Sequence, residues 1–420
     1  MKLAILDSNY MDQKYQGLAA SWLRWELGRL KTDIVDPAAA DILLVTVSSP
    51  QGYPAVRRLL KRIGNRGAKI VLGGGGAFAP AVFDDIADVA CVGEGPRFVR
   101  TLVTRGLDEA SHLPNAWLPG DTRSVVPDED FPWDCPPIRH PDGTVRVAAS
   151  RGCRFRCMFC QTGWESRYRA ANPARVQDTV KSLISRGHRV AVLTNDGADM
   201  SVQALSGGEF LSVRFDTLRK LMPINRSNVK SVRIGVEGIS ARLRSAVGKP
   251  IDAEELVDVS RRLILNGIGV RWFFIVGLPG ETDEDWLELR ELVVRVSREI
   301  PRGCVMSNFH AFIPQPATPL CVPPLVDEYW DRFDEFRRWF FHGGGRTRRM
   351  QLVSPCKYPG RLERARQSMG ATETELRAGL WTSLNANWRI SYPHGGPSDL
   401  RQIARRYFNR LKTVTREGRR

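Results

Sequence analysis

Three cysteines, Cys153, Cys157 and Cys160, stand within eight positions in the run GCRFRCMFCQTG (152–163). Thiols this close bind metal or do redox chemistry unless they pair as disulfides. The opening MKLAILDSNYMDQ has too short an apolar stretch for a signal-peptide core. The longest apolar runs, DILLVTV and RWFFIVGL, are strand-sized, far below a membrane span. The expectation is a cytoplasmic protein without a membrane segment, where clustered thiols serve metal or catalysis. Closed zinc and cluster sites take four ligands. The nearby histidines, His140 and His188, belong to no paired histidine run, and Cys135 sits in a Pro-rich connector. The spacing therefore favours an iron–sulfur cubane with one iron left open. The bland alternative is a zinc knuckle or a set of buried thiols.

A series of strand-like stretches must position that loop. TVRVAAS (144–150) leads directly into it, and HRVAVLTND (188–196) follows the amphipathic ARVQDTVKSLISRG. EFLSVRF (209–215), VKSVRIGVEGIS (229–240), GIGVRWFFIVGLPGETDEDW (267–286) and NFHAFIPQPATPL (308–320) continue the series. Strands alternating with helices, with polar residues at strand carboxyl ends, predict a parallel barrel. Gly277 and Gly280 let the backbone approach a ligand closely, and Thr282 is an N-cap with Asp285 three residues on.

Before the loop, KLAILDS, ADILLVTVS and AKIVLGGGG read as strands of a doubly wound parallel sheet, with ligand sites at their ends. The expected fold is α/β: this sheet, a partial (βα)6 TIM-type barrel, and a basic, mainly helical C-terminal region. The expected boundaries are 1–110, a Pro-rich linker at 111–143, the barrel at 144–320, and 321–420.

The cysteine spacing, the Glu237 strand end, GLPGET and the Pro-rich run, in that order over about 144–320, resemble the radical SAM superfamily. The resemblance implies that the three cysteines hold a [4Fe-4S] cluster whose open iron is chelated by S-adenosylmethionine (SAM). An electron from a donor such as flavodoxin or ferredoxin then breaks the sulfonium C–S bond, and a 5'-deoxyadenosyl radical takes a substrate hydrogen. It places Phe159 by the adenine and Glu237 at the ribose or methionine part of SAM. It also places Gly277 in the turn that approaches the cofactor. Asn195 and Asp196, in TNDG, occupy the place of the family's GGE, which has no obvious copy here. Gly238 replaces the usual Ser after the strand-four Glu, and the bland reading of Glu237 is an exposed charge at a strand end.

The segment IVLGGGGAFAPAVFDDIADVACVGEG (70–95) resembles the cobalamin-binding-type domain found upstream of many such barrels. That implies cofactor contacts at Gly73, Gly74 and Glu94, although Pro96 replaces the last Glu of the usual GEGE turn. The Asp-x-His-x-x-Gly motif is absent and no histidine precedes His112. Any bound cobalamin therefore lacks a histidine ligand from this domain, and a retained fold without the ligand stands as an equal alternative. Outside the loop and the connector only Cys91, Cys304, Cys321 and Cys356 are present. Auxiliary clusters and sulfur insertion, as in methylthiotransferases, are disfavoured.

Charge addresses the substrate. The 420 residues carry a formal net charge of +16, and residues 321–420 hold 20 Lys plus Arg against 10 Asp plus Glu. Arg interleaved with aromatics suits phosphate contacts and base stacking, while a solvated Arg-rich helix is the plain reading. The expected activity is modification or rearrangement (isomerisation) of a carbon centre on a nucleic acid base or nucleotide, a phage-type thymidine hypermodification being one candidate. The alternatives are a cobalamin-dependent C-methyltransferase acting on a peptide or natural product, and a non-catalytic iron–sulfur protein that binds nucleic acid.

Overall fold

Largely apolar strands build the first sheet in the computed structural model. The structure describes residues 1–8, 17–48, 52–121, 124–140, 143–193, 210–224, 229–312, 315, 318–320, 328–343, 345, 347–353, 402–409 and 411. The chain divides into two units. One is Met1–Cys153 with Gln161–Ala171 and Leu362–Asp399; the other is Arg154–Cys160 with Asn172–Arg361 and Leu400–Arg420.

In the first unit, β1 (Leu3–Asp7) and β2 (Ile42–Thr46) are buried along their whole length, as strands covered on both faces must be. They pair in parallel with Leu3 opposite Ile42, and β2 pairs in turn with β3 (Lys69–Gly73). β4 (Val89–Cys91) extends the parallel ladder, and β5 (Ala116–Trp117) closes it antiparallel, in the order β1-β2-β3-β4-β5. The parallel sheet read from the sequence is present. Part of the Pro-rich stretch 111–143 belongs to it. Trp117 is buried, Val92 N–H donates to Asn115 O, and Gly93 bridges Asp128. Two antiparallel pairs follow: β6 (Ile138–Arg139) with β7 (Val145–Ala148), and β8 (Ser150–Arg151) with β9 (Arg169–Ala170).

The second unit contains β10 (Val190–Leu193) and a wholly parallel sheet. That sheet runs β11 (Phe210–Val213), β12 (Ser231–Glu237), β13 (Gly269–Val276), β14 (Val305–Ala311) and β15 (Met350–Leu352), neighbours in sequence order. This is a parallel half-barrel in a mixed α/β chain. Burial alternates along β12, β13 and β14, so one face is sealed and the other half-open. The sealed face holds Trp272, Phe274 and Phe309, each worth about 1.5–3 kcal/mol on burial. The Trp272 indole N–H is satisfied by Ser260 Oγ at 3.1 Å.

Helix Asp283–Glu299 starts where the sequence places it, with Thr282 N–H donating to the Asp285 carboxylate at 2.8 Å. β14 begins at Val305, ahead of the 308–320 window, and the Pro-rich run follows it. Beyond residue 320, helix Glu328–His342 is accompanied by β15, which the sequence reading did not place. Its three residues give too short an apolar signal to register as a strand. Among the described residues no helix is long and apolar enough to cross a membrane.

Candidate active site around the cysteine loop

The loop is entered through Gly152, at φ +67°, where an added Cβ would lie 2.2 Å from the Arg167 carbonyl oxygen. Only glycine fits a left-handed turn packed against another backbone so closely. Within the loop, Cys160 N–H donates to Cys157 O, closing a tight turn. Met158 anchors it on both sides, donating to Val247 O and accepting from Leu320 N–H.

Cys157 is buried, whereas Cys153 and Cys160 are half-buried. Arg214 Nη1 donates to Cys157 Sγ at 3.2 Å. The guanidinium is held by Asp216 at 3.0 Å and Gly248 O at 3.1 Å, and it lies over the Phe155 ring at 4.0 Å. Burial pushes the Cys157 thiol up, and the positive charges of Lys249 and Arg214 pull against it. A buried sulfur flanked by two cations suits a ligand that carries net negative charge. Among the described residues no three His, Cys, Asp or Glu groups gather tightly enough to hold one metal ion. A cubane does not require that, since each thiolate binds its own iron. The donor chemistry of the loop fits the cluster.

Glu237 ends β12 at φ +69°, one of two non-glycine residues with positive φ among those described. A register shift between Gly235 and Glu237 accompanies it. Such strain in a non-glycine residue persists only where its surroundings enforce it. Here the enforcing partner is Lys249, whose Nζ lies 2.7 Å from Glu237 Oε1 and 3.2 Å from Gly235 O. A Cβ on Gly235 would stand 2.3 Å from Glu237 Oε1 and 2.7 Å from Lys249 Nζ, so the glycine makes room for the ion pair. Burial works to lower the Lys249 pKa, but the charges of Glu237 and Cys157 outweigh it and the net shift is upward. Lys249 Nζ also sits 5.9 Å from the centroid of the half-buried Phe159 ring. Phe159, Glu237 and Cys157 are thus linked through Lys249. Gly238 has a packing reason, since a Cβ there would meet Arg244 N at 2.5 Å.

Gly277 follows β13 at φ +78° and donates its N–H to Glu281 Oε2 at 2.8 Å, while Trp286 Nε1 donates to Glu281 Oε1. The C-terminal helical residues brace this turn: buried Tyr407 donates its hydroxyl to Pro279 O at 2.8 Å. A Cβ on Gly280 would lie 2.7 Å from a Leu411 methyl. Asn195 and Asp196 lie outside the described residues.

In the first unit, Gly74 has φ +90°, and its added Cβ would meet Val47 O at 2.6 Å; the same test at Gly75 meets Ser48 O at 2.3 Å. Packing against the turn after β2 accounts for both. A Cβ on Gly73 would meet nothing within 4 Å among the described residues, so the end of β3 has open space beside it. Glu94 is buried and committed to ion pairs with Arg151, at 2.9 Å and 3.2 Å, and with Arg169 at 3.1 Å. These arginines flank the cysteine loop in sequence and face each other across β8 and β9. Gln161 Nε2, just after the last cysteine, donates to Gly75 O at 3.0 Å. Burial raises the neighbouring Glu165 carboxyl to about 7, against the pull of Arg151 and Gln161. Cys91 is a packing thiol: burial pushes it up, and Asn115 hydrogen-bonds it.

Sequence reasoning missed Lys249, Arg214 and the Glu94 network. Lys249 had a faint signal in VGKPID, a lone Lys between a glycine and a proline after the Glu237 strand. Arg214 had none, because its role depends on a contact 57 residues away.

A cysteine loop beside a parallel half-barrel, with a strained acidic residue at a strand end, defines the class of fold and site. Residues 147–293 match the radical SAM superfamily. Over that segment the chain carries a radical SAM domain, of the superfamily that uses a [4Fe-4S] cluster and SAM. An uncharacterized protein of Methanocaldococcus jannaschii, MJ0966, is 26% identical over 310 residues, covering 66% of this chain and 67% of that protein. The ribosomal protein uS12 methylthiotransferase RimO of Desulfotalea psychrophila is 26% identical over 175 residues, 35% of this chain and 39% of its own length. The chain therefore spans about two fifths of the RimO relative. Among solved structures, the radical SAM methyltransferase TsrM from Kitasatospora setae, with cobalamin and a [4Fe-4S] cluster bound, shares the fold. Its TM-score is 0.55 and its identity 15%, over 97% of this chain and 99% of that one.

Proposed function

We propose that this chain is a cobalamin-dependent radical SAM C-methyltransferase, active on an unactivated carbon. The observation that carries the radical part is the setting of Cys157, buried, hydrogen-bonded by Arg214 and next to the Lys249–Glu237 pair. Support for the corrinoid comes from the open end of β3 at Gly73, and from the likeness along nearly the whole chain to a methyltransferase solved with cobalamin.

In this reading Cys153, Cys157 and Cys160 hold the cluster, and Gly73 and Gly74 hold a corrinoid edge. Cluster and SAM together supply a one-electron cleavage of a sulfonium C–S bond, and the corrinoid supplies a methyl carrier. The chain's own residues orient and insulate. Arg214 stabilises negative charge on the Cys157 sulfur. Lys249 and Glu237 present opposite charges that suit the carboxylate and amino groups of SAM's methionine part, and Phe159 offers a face for the adenine. The chain acts in the cytoplasm with a small flavodoxin or ferredoxin as electron donor.

A second reading, rearrangement on a nucleic acid base or nucleotide, is favoured by the +16 charge. One experiment separates the two. Protein produced with cobalamin, reconstituted anaerobically and reduced, should cleave SAM to 5'-deoxyadenosine and retain a stoichiometric corrinoid spectrum. Cleavage without corrinoid favours rearrangement. No cleavage with a full cluster and corrinoid, in the presence of substrate, sinks both.

A further inference from the structure

The half-open face of the β12–β14 ladder carries charges that nothing above uses. Arg233 on β12 and Arg271 on β13 are direct register partners, so two guanidinium stems leave the same face of adjacent strands about 4.8 Å apart. Both are half-buried, and burial, followed by the charge of Arg271, lowers the Arg233 pKa. Arg271 Nη2 donates to Met306 Sδ at 3.5 Å, a weak acceptor. Like charges directly opposite one another weaken a sheet. This sheet's apolar packing lies on the other face.

Two residues further along the same face is Phe273, its ring stacked with that of the exposed His310 at 5.9 Å and 12°. Asn308, the register partner of Phe273, has a buried Oδ1 without a hydrogen-bond partner among the described residues. A lone buried amide oxygen is costly and points to a donor that arrives with a ligand. Past the register shift at Gly235, Glu237 ends β12 opposite Phe274, three residues along β13 from Arg271 and so a rise of about 10 Å.

We infer that this face binds the substrate, and that the substrate is a phosphate monoester with a flat ring, of the nucleotide class. The phosphate sits between Arg233 and Arg271, which together match a dianion; a single carboxylate needs only one guanidinium. The ring lies against Phe273 and His310, and Asn308 Oδ1 accepts from an N–H on its edge. The reacting carbon then lies toward Glu237 and the cysteine loop, away from the phosphate. This assignment rests on the reading of the Glu237 end as the reaction centre.

The test uses the full-length reconstituted protein saturated with SAM, titrated calorimetrically with uridine 5'-monophosphate, uridine, inorganic phosphate and indole-3-carboxylate. The nucleotide is expected to bind more tightly than uridine or phosphate alone. Arg233→Gln and Arg271→Gln should each weaken it about tenfold or more. Arg186→Gln, the same charge change on an exposed helix end, should leave it unaltered. Melting temperatures of the two barrel variants should hold or rise as the like-charge contact is relieved. Equal binding of uridine and its monophosphate, preference for the carboxylate, or undiminished binding by the double variant would each overturn the proposal. A fall in melting temperature without weaker nucleotide binding would make the arginines structural and overturn it as well. SAM cleavage by the unsubstituted protein is scored separately, so failure of the radical reading is told apart from failure of this one.

Discussion

Arg214 and Cys157 are 57 residues apart in sequence, and the guanidinium donates to the sulfur at 3.2 Å while stacked on Phe155. Donors to a cluster's sulfur ligands, and positive charges beside them, stabilise its reduced state. Arg214→Met should therefore make the cluster harder to reduce and cost about 10–100-fold in activity or cluster retention. Arg214→Lys should restore part of the potential but little of the directed hydrogen bond. Potentiometric titration followed by electron paramagnetic resonance reads this, and an unchanged potential in Arg214→Met refutes it.

Replacing Cys153, Cys157 or Cys160 singly with Ala should abolish the reconstituted cluster, seen as loss of its visible absorption and of bound iron. Cys91→Ala should keep the full complement, because that thiol is a buried packing group bonded to Asn115. Iron and sulfide analysis of the four proteins decides between these outcomes.

Gly152→Ala should destabilise the chain by about 1–3 kcal/mol, through a left-handed backbone and a collision with Arg167 O. The damage falls at the loop's entry, so cluster content should drop further than the loss in denaturation midpoint suggests. Gly187→Ala, also at positive φ but with open space around it, controls for backbone strain alone.

Glu94→Gln should remove both arginine partnerships and cost about 1–3 kcal/mol, less than a fully buried pair because Arg151 retains some solvent. Combined with Arg169→Gln, the loss should be smaller than the sum of the two single changes. Urea unfolding of the single and double variants measures that coupling, and strict additivity would show that the pair contributes nothing.

Glu165 gives stability a pH dependence. Its folded value of about 7, raised by burial and by Glu94 against the pull of Arg151, Gln161 and Arg169, lies above the ordinary 4.5. Between those values the folded state binds more protons than the unfolded one. The contribution of neutral Glu165 is thus full below 4.5 and is lost as pH rises through about 7. Glu165→Gln should flatten that part of the stability–pH curve and raise the melting temperature at pH above about 7. A curve unchanged in slope excludes the effect.

The sequence by itself determined the local patterns: the thiol spacing of the loop, the largely apolar strands β1 and β2, the alternating β12 and β13, and the Thr282 helix start. Each is written in neighbouring residues, through periodicity, spacing or capping chemistry. Tertiary structure alone decided what surrounds them. It paired Lys249 with Glu237, brought Arg214 to Cys157, tied Glu94 to Arg151 and Arg169, and placed Arg233 beside Arg271. Those contacts join residues 12 to 75 positions apart, across turns and strand registers that no local window encodes. The glycines show the same division. Their conformational freedom is legible in the sequence, but only packing reveals that Gly235 clears space for an ion pair while Gly74 yields to the backbone at Val47.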